Sequence, residues 1–219
     1  MDCSKTTQGG ETMLGKTHRA GGTLFAIAGF ELMRQKGLLI DDVNPLLELA
    51  IIYPVAQWAS TLPDLDHHWD SVGAKTPVNW LVHRALHLTS PKHRSWQTHS
   101  LLVSGGFLWL LWTLVTLGNN FMVESDISWV IARILVTGFI LGYASHLFLD
   151  AINPSGIHVI PGWKIHLVPK NSFFATGGPW ENKIVYPLCL GLSFIFLINF
   201  TMSYFDTSVW GLATSIVSK

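Results

Sequence analysis

The sequence predicts an all-α fold, a polytopic membrane helix bundle with about five transmembrane helices and one interfacial amphipathic helix. Three observations lead there. Mean hydropathy is +0.35. Only 13% of the 219 residues are charged, against roughly 25% in soluble domains. Several apolar runs approach the ~20 residues that a helix needs to cross a hydrocarbon core. Trp69, Trp96, Trp163 and Trp180 flank such runs, where interfacial aromatics belong.

Taken in order, residues 1–16 read as a polar leader. It lacks a basic region followed by an apolar core, so no cleavable signal peptide is expected. Residues 17–219 are expected to form one membrane-embedded helical domain. Its first helix, 18–33, is short and carries Gly21, Gly22 and Gly29; its second, 43–62, contains Glu48, Pro54 and Gln57. Small residues and proline are tolerated in membrane helices when neighbours cover the backbone. The alternative is that these two pack inside the bundle, or lie in the interface, without a full crossing. Residues 77–88 set Trp80, Leu81, Ala85 and Leu86 against His83, Arg84 and His87, the pattern of a helix lying on the membrane surface. The strongest crossings are 101–118, 127–149 and 184–205.

Basic residues then fix an orientation. With five crossings, Lys5, Lys16, Arg19, Lys75, Arg84, Lys92, Arg94, Lys164, Lys170 and Lys183 share one face, and only Arg34, Lys36 and Lys219 lie on the other. Excess Lys and Arg mark the cytoplasmic side. Net charge is zero at pH 7, which gives no support for a nucleic-acid partner. Cys3 and Cys189 are too far apart in sequence to suggest a thiolate metal motif or a disulfide framework. The chain has no G-x-S-x-G elbow and no Walker-type phosphate loop.

Four polar clusters interrupt the apolar runs, and the topology puts all four on the cytoplasmic face: THR (17–19), LPDLDHH (62–68), HRSWQTHS (93–100) and SHLFLD (145–150). His146 and Asp150 are four apart on one helix and so project from one face. They suit a metal-ligand pair, or a histidine that merely neutralises a carboxylate. Asp64, Asp66 and His67 follow Pro63. Carboxylate oxygens mixed with imidazole suit zinc, manganese or iron, although a solvated loop with an Asx turn accounts for the same residues. His68 and Asp70 belong with that loop. His93 is placed in a turn and His99 in the first turn of the next helix, with Ser95 or Thr98 as its cap. Arg94 can clamp an anionic substrate oxygen or simply touch a lipid headgroup. His18 is a weak signal alone and gains weight from its side of the membrane. His83 and His87 are less favoured as ligands, and His158 and His166 lie in a loop read as a cover over the site.

At these clusters the chain resembles the YdjM-like family of inner-membrane proteins, called metal-dependent hydrolases and associated in some bacteria with LexA regulation. The matching motifs are Thr17-His18, LPDLDH (62–67), HRSWQTHS (93–100) and GYASHLFLDAINPSG (142–156), in order over the first three-quarters of the chain. The third motif departs from the family pattern: Ser95 stands in place of a glycine, and one extra residue separates its histidines. That bears on His93 more than on His99. The resemblance implies a bacterial inner-membrane metallohydrolase with ligands at His18, Asp64, Asp66 or His67, His93, His99, His146 and Asp150.

The expectation is therefore a multi-pass, membrane-bound, metal-dependent hydrolase with one or two divalent ions, zinc before manganese or iron. So many candidate ligands exceed what one tetrahedral zinc takes, which favours two ions. Asp64, His99, His146 and Asp150 are assigned to the core, and His18, Asp66 and His93 to a second ion. His67 orients a carboxylate from outside. Asp66 is the catalytic base and Arg94 holds a phosphate. A site at headgroup level suits membrane lipids or another amphipathic ester or phosphoester as substrate. A metal-binding or transport protein without hydrolysis is the alternative, and a purely structural metal is a third. Transport is disfavoured because the far halves of the helices read as almost purely apolar.

Overall fold

The structure is a computed structural model describing residues 13–40, 43–66, 76–89, 96–121, 127–154, 156–169 and 178–217. Six α-helices dominate it: α1 (Met13–Gln35), α2 (Pro45–Ala59), α3 (Pro77–Thr89), α4 (Leu101–Phe121), α5 (Ile127–Ala151) and α6 (Tyr186–Val217). A 3-10 turn, Pro63–Asp66, follows α2, and a π-helical turn, Glu181–Val185, leads into α6. Between α5 and α6 lies a small antiparallel hairpin, β1 (Ile157–Ile160) and β2 (Trp163–Ile165). Gly162 turns it at φ +85, a conformation that glycine adopts without a Cβ penalty. The hairpin occupies the segment expected to be an irregular cover.

Three helical segments are long and apolar enough to cross a membrane: Leu101–Gly118, Ile127–Ala151 and Glu181–Asp206. The other two expected crossings are not among these three segments. Helix α2 has 15 residues, about 22 Å at 1.5 Å per residue, against a hydrocarbon core of about 30 Å. Asn44 caps it, its side chain accepting the Leu46 N–H at 2.9 Å, and Pro45 starts it. Helix α1 is longer than expected at 23 residues but carries Lys16, Arg19, Glu31 and Arg34.

Instead α1 and α2 pack against each other and against α5, while α6 covers α1 and α4 lies along α5. Their shared core is Ala26, Phe30, Ile52, Ala56, Ile134 and Phe200, each at most 2% exposed. Glycine sets the spacing. A Cβ on Gly22 would meet the Ala56 carbonyl and the Ser60 side chain within 3.0 Å, and a Cβ on Gly142 would run into the Ala56 backbone. So α1 and α5 grip the last turn of α2 from two sides. Small residues allow such approach in membrane bundles, where van der Waals packing replaces the hydrophobic drive. Helix α3 docks under that turn through Asn79, which accepts the Trp58 indole N–H at 2.7 Å, and leaves Trp80, Leu81 and Leu88 outside. The amphipathic expectation for it holds.

Candidate metal centre

Five of the sequence-selected side chains meet at one end of the bundle. His18 comes from the second turn of α1, Asp64 from the 3-10 turn after α2, and His99 from the residues just before α4. His146 and Asp150 come from the last turns of α5. His146 and Asp150 are at most 1% exposed, and His18 and His99 are 2%. Asp64 is the most open of the five, its side chain 16% exposed.

The distances have a pattern. His99 and His146 Nε2 each stand 3.4 Å from Asp150 Oδ2, and 3.7 and 3.8 Å from Asp64 Oδ1. His18 Nε2 is 3.7 Å from Asp64 Oδ2 and 3.8 Å from Asp150 Oδ1. The Nε2 atoms of His99 and His146 are 3.2 Å apart, and the His18 and His146 rings stack at 3.9 Å. Charge-assisted hydrogen bonds between such groups run at about 2.7–2.9 Å. Two ligands held at 2.0–2.1 Å by one tetrahedral ion lie about 3.4 Å apart. The cluster has the second spacing.

Proton positions agree with it. His146 Nδ1 lies 2.7 Å from the Ser60 carbonyl oxygen. A carbonyl only accepts, so Nδ1 carries the proton and the ring turns its Nε2 to the cluster. Metal-ligating histidines are typically fixed this way by a backbone carbonyl. His99 Nδ1 meets the Thr98 hydroxyl at 2.8 Å. Asp64 Oδ1 is buried with no hydrogen-bond partner among the described residues, a costly state for a carboxylate oxygen unless a cation reaches it. Burial pushes the Asp64 carboxyl up, but the His146, His99 and His18 imidazoles outweigh it and hold the group well below the usual carboxylate range. The two carboxylates together carry the charge that a divalent ion would balance. On these observations the residues fit a metal.

Two donor triads emerge, His18–His146–Asp150 and Asp64–His99–His146, each with its ligand atoms within 4.8 Å of one another. Both use His146. The two triads therefore overlap in one cluster rather than lying apart.

Not every expected residue can be placed. His67, His93 and Arg94 lie outside the described residues, and Asp66 is described by its backbone alone, which closes the 3-10 turn. His99 precedes α4 instead of sitting in its first turn. It is held there from the hairpin: the His158 N–H donates to the His99 carbonyl at 3.2 Å, and the Ser100 hydroxyl donates to the Val159 carbonyl at 3.1 Å. His83 Nδ1 contacts the Leu65 carbonyl at 2.6 Å and so fastens α3 to the 3-10 turn. His166 contacts the Pro154 carbonyl at 3.0 Å. Glu181, 7% exposed, was missed. It accepts the Thr17 hydroxyl at 2.7 Å and shares a small pocket with His18. It stands outside every motif, and its only local signal is an acid at the edge of an apolar run.

Residues 13–215 match the family described as YdjM inner membrane protein. The chain belongs to that family. The match covers all five clustered side chains, and with three apolar helices of spanning length it makes the chain a membrane protein of an inner-membrane family. No curated protein and no solved structure matches the chain.

Proposed function

We propose that the chain is a multi-pass, membrane-bound, metal-dependent hydrolase whose site faces the cytoplasm and acts on an ester or phosphoester of a lipid or similar amphiphile. One observation carries the reading: three imidazole nitrogens and two carboxylates stand 3.4–3.8 Å apart in every His–Asp pair, longer than a charge-assisted hydrogen bond and near the spacing of ligands around an ion. His18, Asp64, His99, His146 and Asp150 would hold a divalent ion, with zinc the best match to the donor set. A second ion would draw on Asp66 or His93. Such an ion, when bound, supplies a Lewis acid and a water acidic enough to attack near neutral pH.

The chain's own residues do the rest. The Ser60 carbonyl and the Thr98 hydroxyl hold two imidazoles in place, and the gripped end of α2 fixes Asp64 against them. Structural zinc sites are closed, whereas catalytic ones keep an open side; the exposure of Asp64 favours an open site. Arg94 and Asp66 keep their assigned roles as phosphate clamp and base.

Transport fits less well, though not because the far halves of the helices are apolar. The far ends of α1 and α2 bury two acids, Glu31 at 2% and Glu48 at 4% exposure. Between them and the candidate centre lies the apolar core of Phe30, Ile52, Ala56 and Ile134, and Gln57 bonded to Thr23 is a polar pair without charge, so no line of acids or histidines joins the two ends among the described residues. The test is phospholipid hydrolysis by purified protein in bilayers. Turnover should vanish with a chelator, return with zinc, and be absent in His146→Ala. Bound metal without turnover of any lipid ester would replace the enzyme reading with a binding role.

A further inference from the structure

A groove of about 750 Å³ runs along α1, α5 and α6 on the outside of the bundle. Its walls are apolar, with Phe25, Ala28 and Leu32 from α1, Phe148 from α5, and Leu188 and Leu192 from α6. One end is bounded by Leu149, Ile152, Trp180 and Val185. Those same four residues line the small pocket that contains Thr17, His18, Asn153 and Glu181. The apolar groove and the polar pocket beside the candidate metal centre therefore adjoin across these four side chains.

We propose that this groove binds one acyl chain of a membrane glycerophospholipid and delivers its ester and headgroup region to the His18–Glu181 pocket. The polar end of the proposal rests on the hydrolase reading; the groove itself does not. Length supports a lipid chain. The α1 wall runs from Leu24 to Gln35, about 17 Å at 1.5 Å per residue, and one leaflet of a 30 Å core is about 15 Å deep. The volume lies within the roughly 300–1,000 Å³ of ligand sites. Chemistry supports it as well. Lipid tails are as apolar as leucine, so an apolar groove alone gains nothing over bulk bilayer. Selective occupancy needs polar contacts at one end, and here Thr17, Asn153 and Glu181 stand where the groove meets the pocket. Along α4 the exposed apolar residues Leu102, Trp109 and Leu114 also face outward, and none of them lines the pocket beside His18.

The experiment uses full-length protein in nanodiscs of phosphatidylethanolamine and phosphatidylglycerol, doped with a phospholipid carrying a diazirine near its chain end. After illumination, labelled peptides are mapped by mass spectrometry and metal is measured on the same preparation. Peptides from α1 and α6 should label about tenfold over α4, equivalent to a preference of about 1.4 kcal/mol. Ala28→Trp sits ten residues, about 15 Å, beyond His18 and fills the groove, so it should reduce labelling to the α4 level with metal content unchanged. Leu192→Trp repeats this from the opposite wall, should Ala28→Trp fail to fold. Equal labelling of α4 and the groove, or labelling that survives both tryptophans, overturns the proposal. Groove labelling in metal-free wild type would leave the acyl-chain site standing and sink the hydrolase reading; metal without selective labelling would do the reverse.

Discussion

Two ends of the same helices treat buried charge in opposite ways. At the far end, Arg34 Nε and Nη2 donate to the two Glu31 oxygens at 2.8 Å each, Nη2 also reaches the Ser203 hydroxyl at 2.8 Å, and Gln35 donates to Glu31 at 2.8 Å. Every distance there is that of a closed, charge-assisted hydrogen bond. At the near end, five titratable side chains, four of them as deeply buried as Glu31, stay 3.4–3.8 Å apart across every His–Asp pair. Only about half an ångström to an ångström separates the patterns, but their chemistry differs. Glu31 is satisfied by its neighbours and fastens α1 to α6, while Glu48 Oε2 on α2 has no hydrogen-bond partner among the described residues; the near end has the spacing of donors around an ion.

That contrast can be broken from both ends at once. Gly142→Val would force α5 off the Ala56 backbone, and overpacking on that scale costs about 3 kcal/mol. Thermal unfolding in detergent should show the loss, and bound metal should go with it, since Asp64 and His146 are held by the same approach. Arg34→Ala acts on the far end alone. It removes the guanidinium from a Glu31 that is 2% exposed and should cost about 2 kcal/mol of stability, with metal content untouched. Thr98→Val acts on the near end alone. Removing the hydroxyl that meets His99 Nδ1 should weaken metal affinity about tenfold in a competition titration and barely shift the unfolding of metal-free protein. Mild acid should separate the ends with the least damage. A metal binds the unprotonated imidazole nitrogen, so protons compete with the ion and falling pH weakens its hold. Ordinary carboxylates titrate near 4.3 and arginine stays charged. Between pH 7 and about 5, metal should therefore leave while unfolding of the metal-free protein changes little.

How much was legible depends on the kind of signal. Helices α4 and α5 could be read almost to the residue, because long apolar runs bounded by polar residues leave few alternatives. His146 and Asp150 were legible through helical spacing. His18, Asp64 and His99 were legible only as company for them, since nothing local says that three segments up to 81 residues apart in sequence converge. Convergence depends on Gly22 and Gly142, and a glycine in sequence does not announce which backbone it admits. Helices α1 and α2 gave weaker signals because charged residues and a proline interrupt their apolar content, while neighbours supply the packing. The hairpin was readable and overlooked: Ile157 to Ile160 is β-rich, and Pro161-Gly162 is a turn signal. The far-end acids contradict the apolar reading because Glu31 and Glu48 are single polar positions within otherwise apolar stretches.

The most direct measurement is the metal content of purified protein by mass spectrometry, with wild type, His146→Ala, Asp150→Ala and Arg34→Ala prepared side by side. At least one divalent ion per chain is expected in wild type and in Arg34→Ala, and none in the other two. Equal content in all four, or none in wild type after zinc is supplied, would contradict the account.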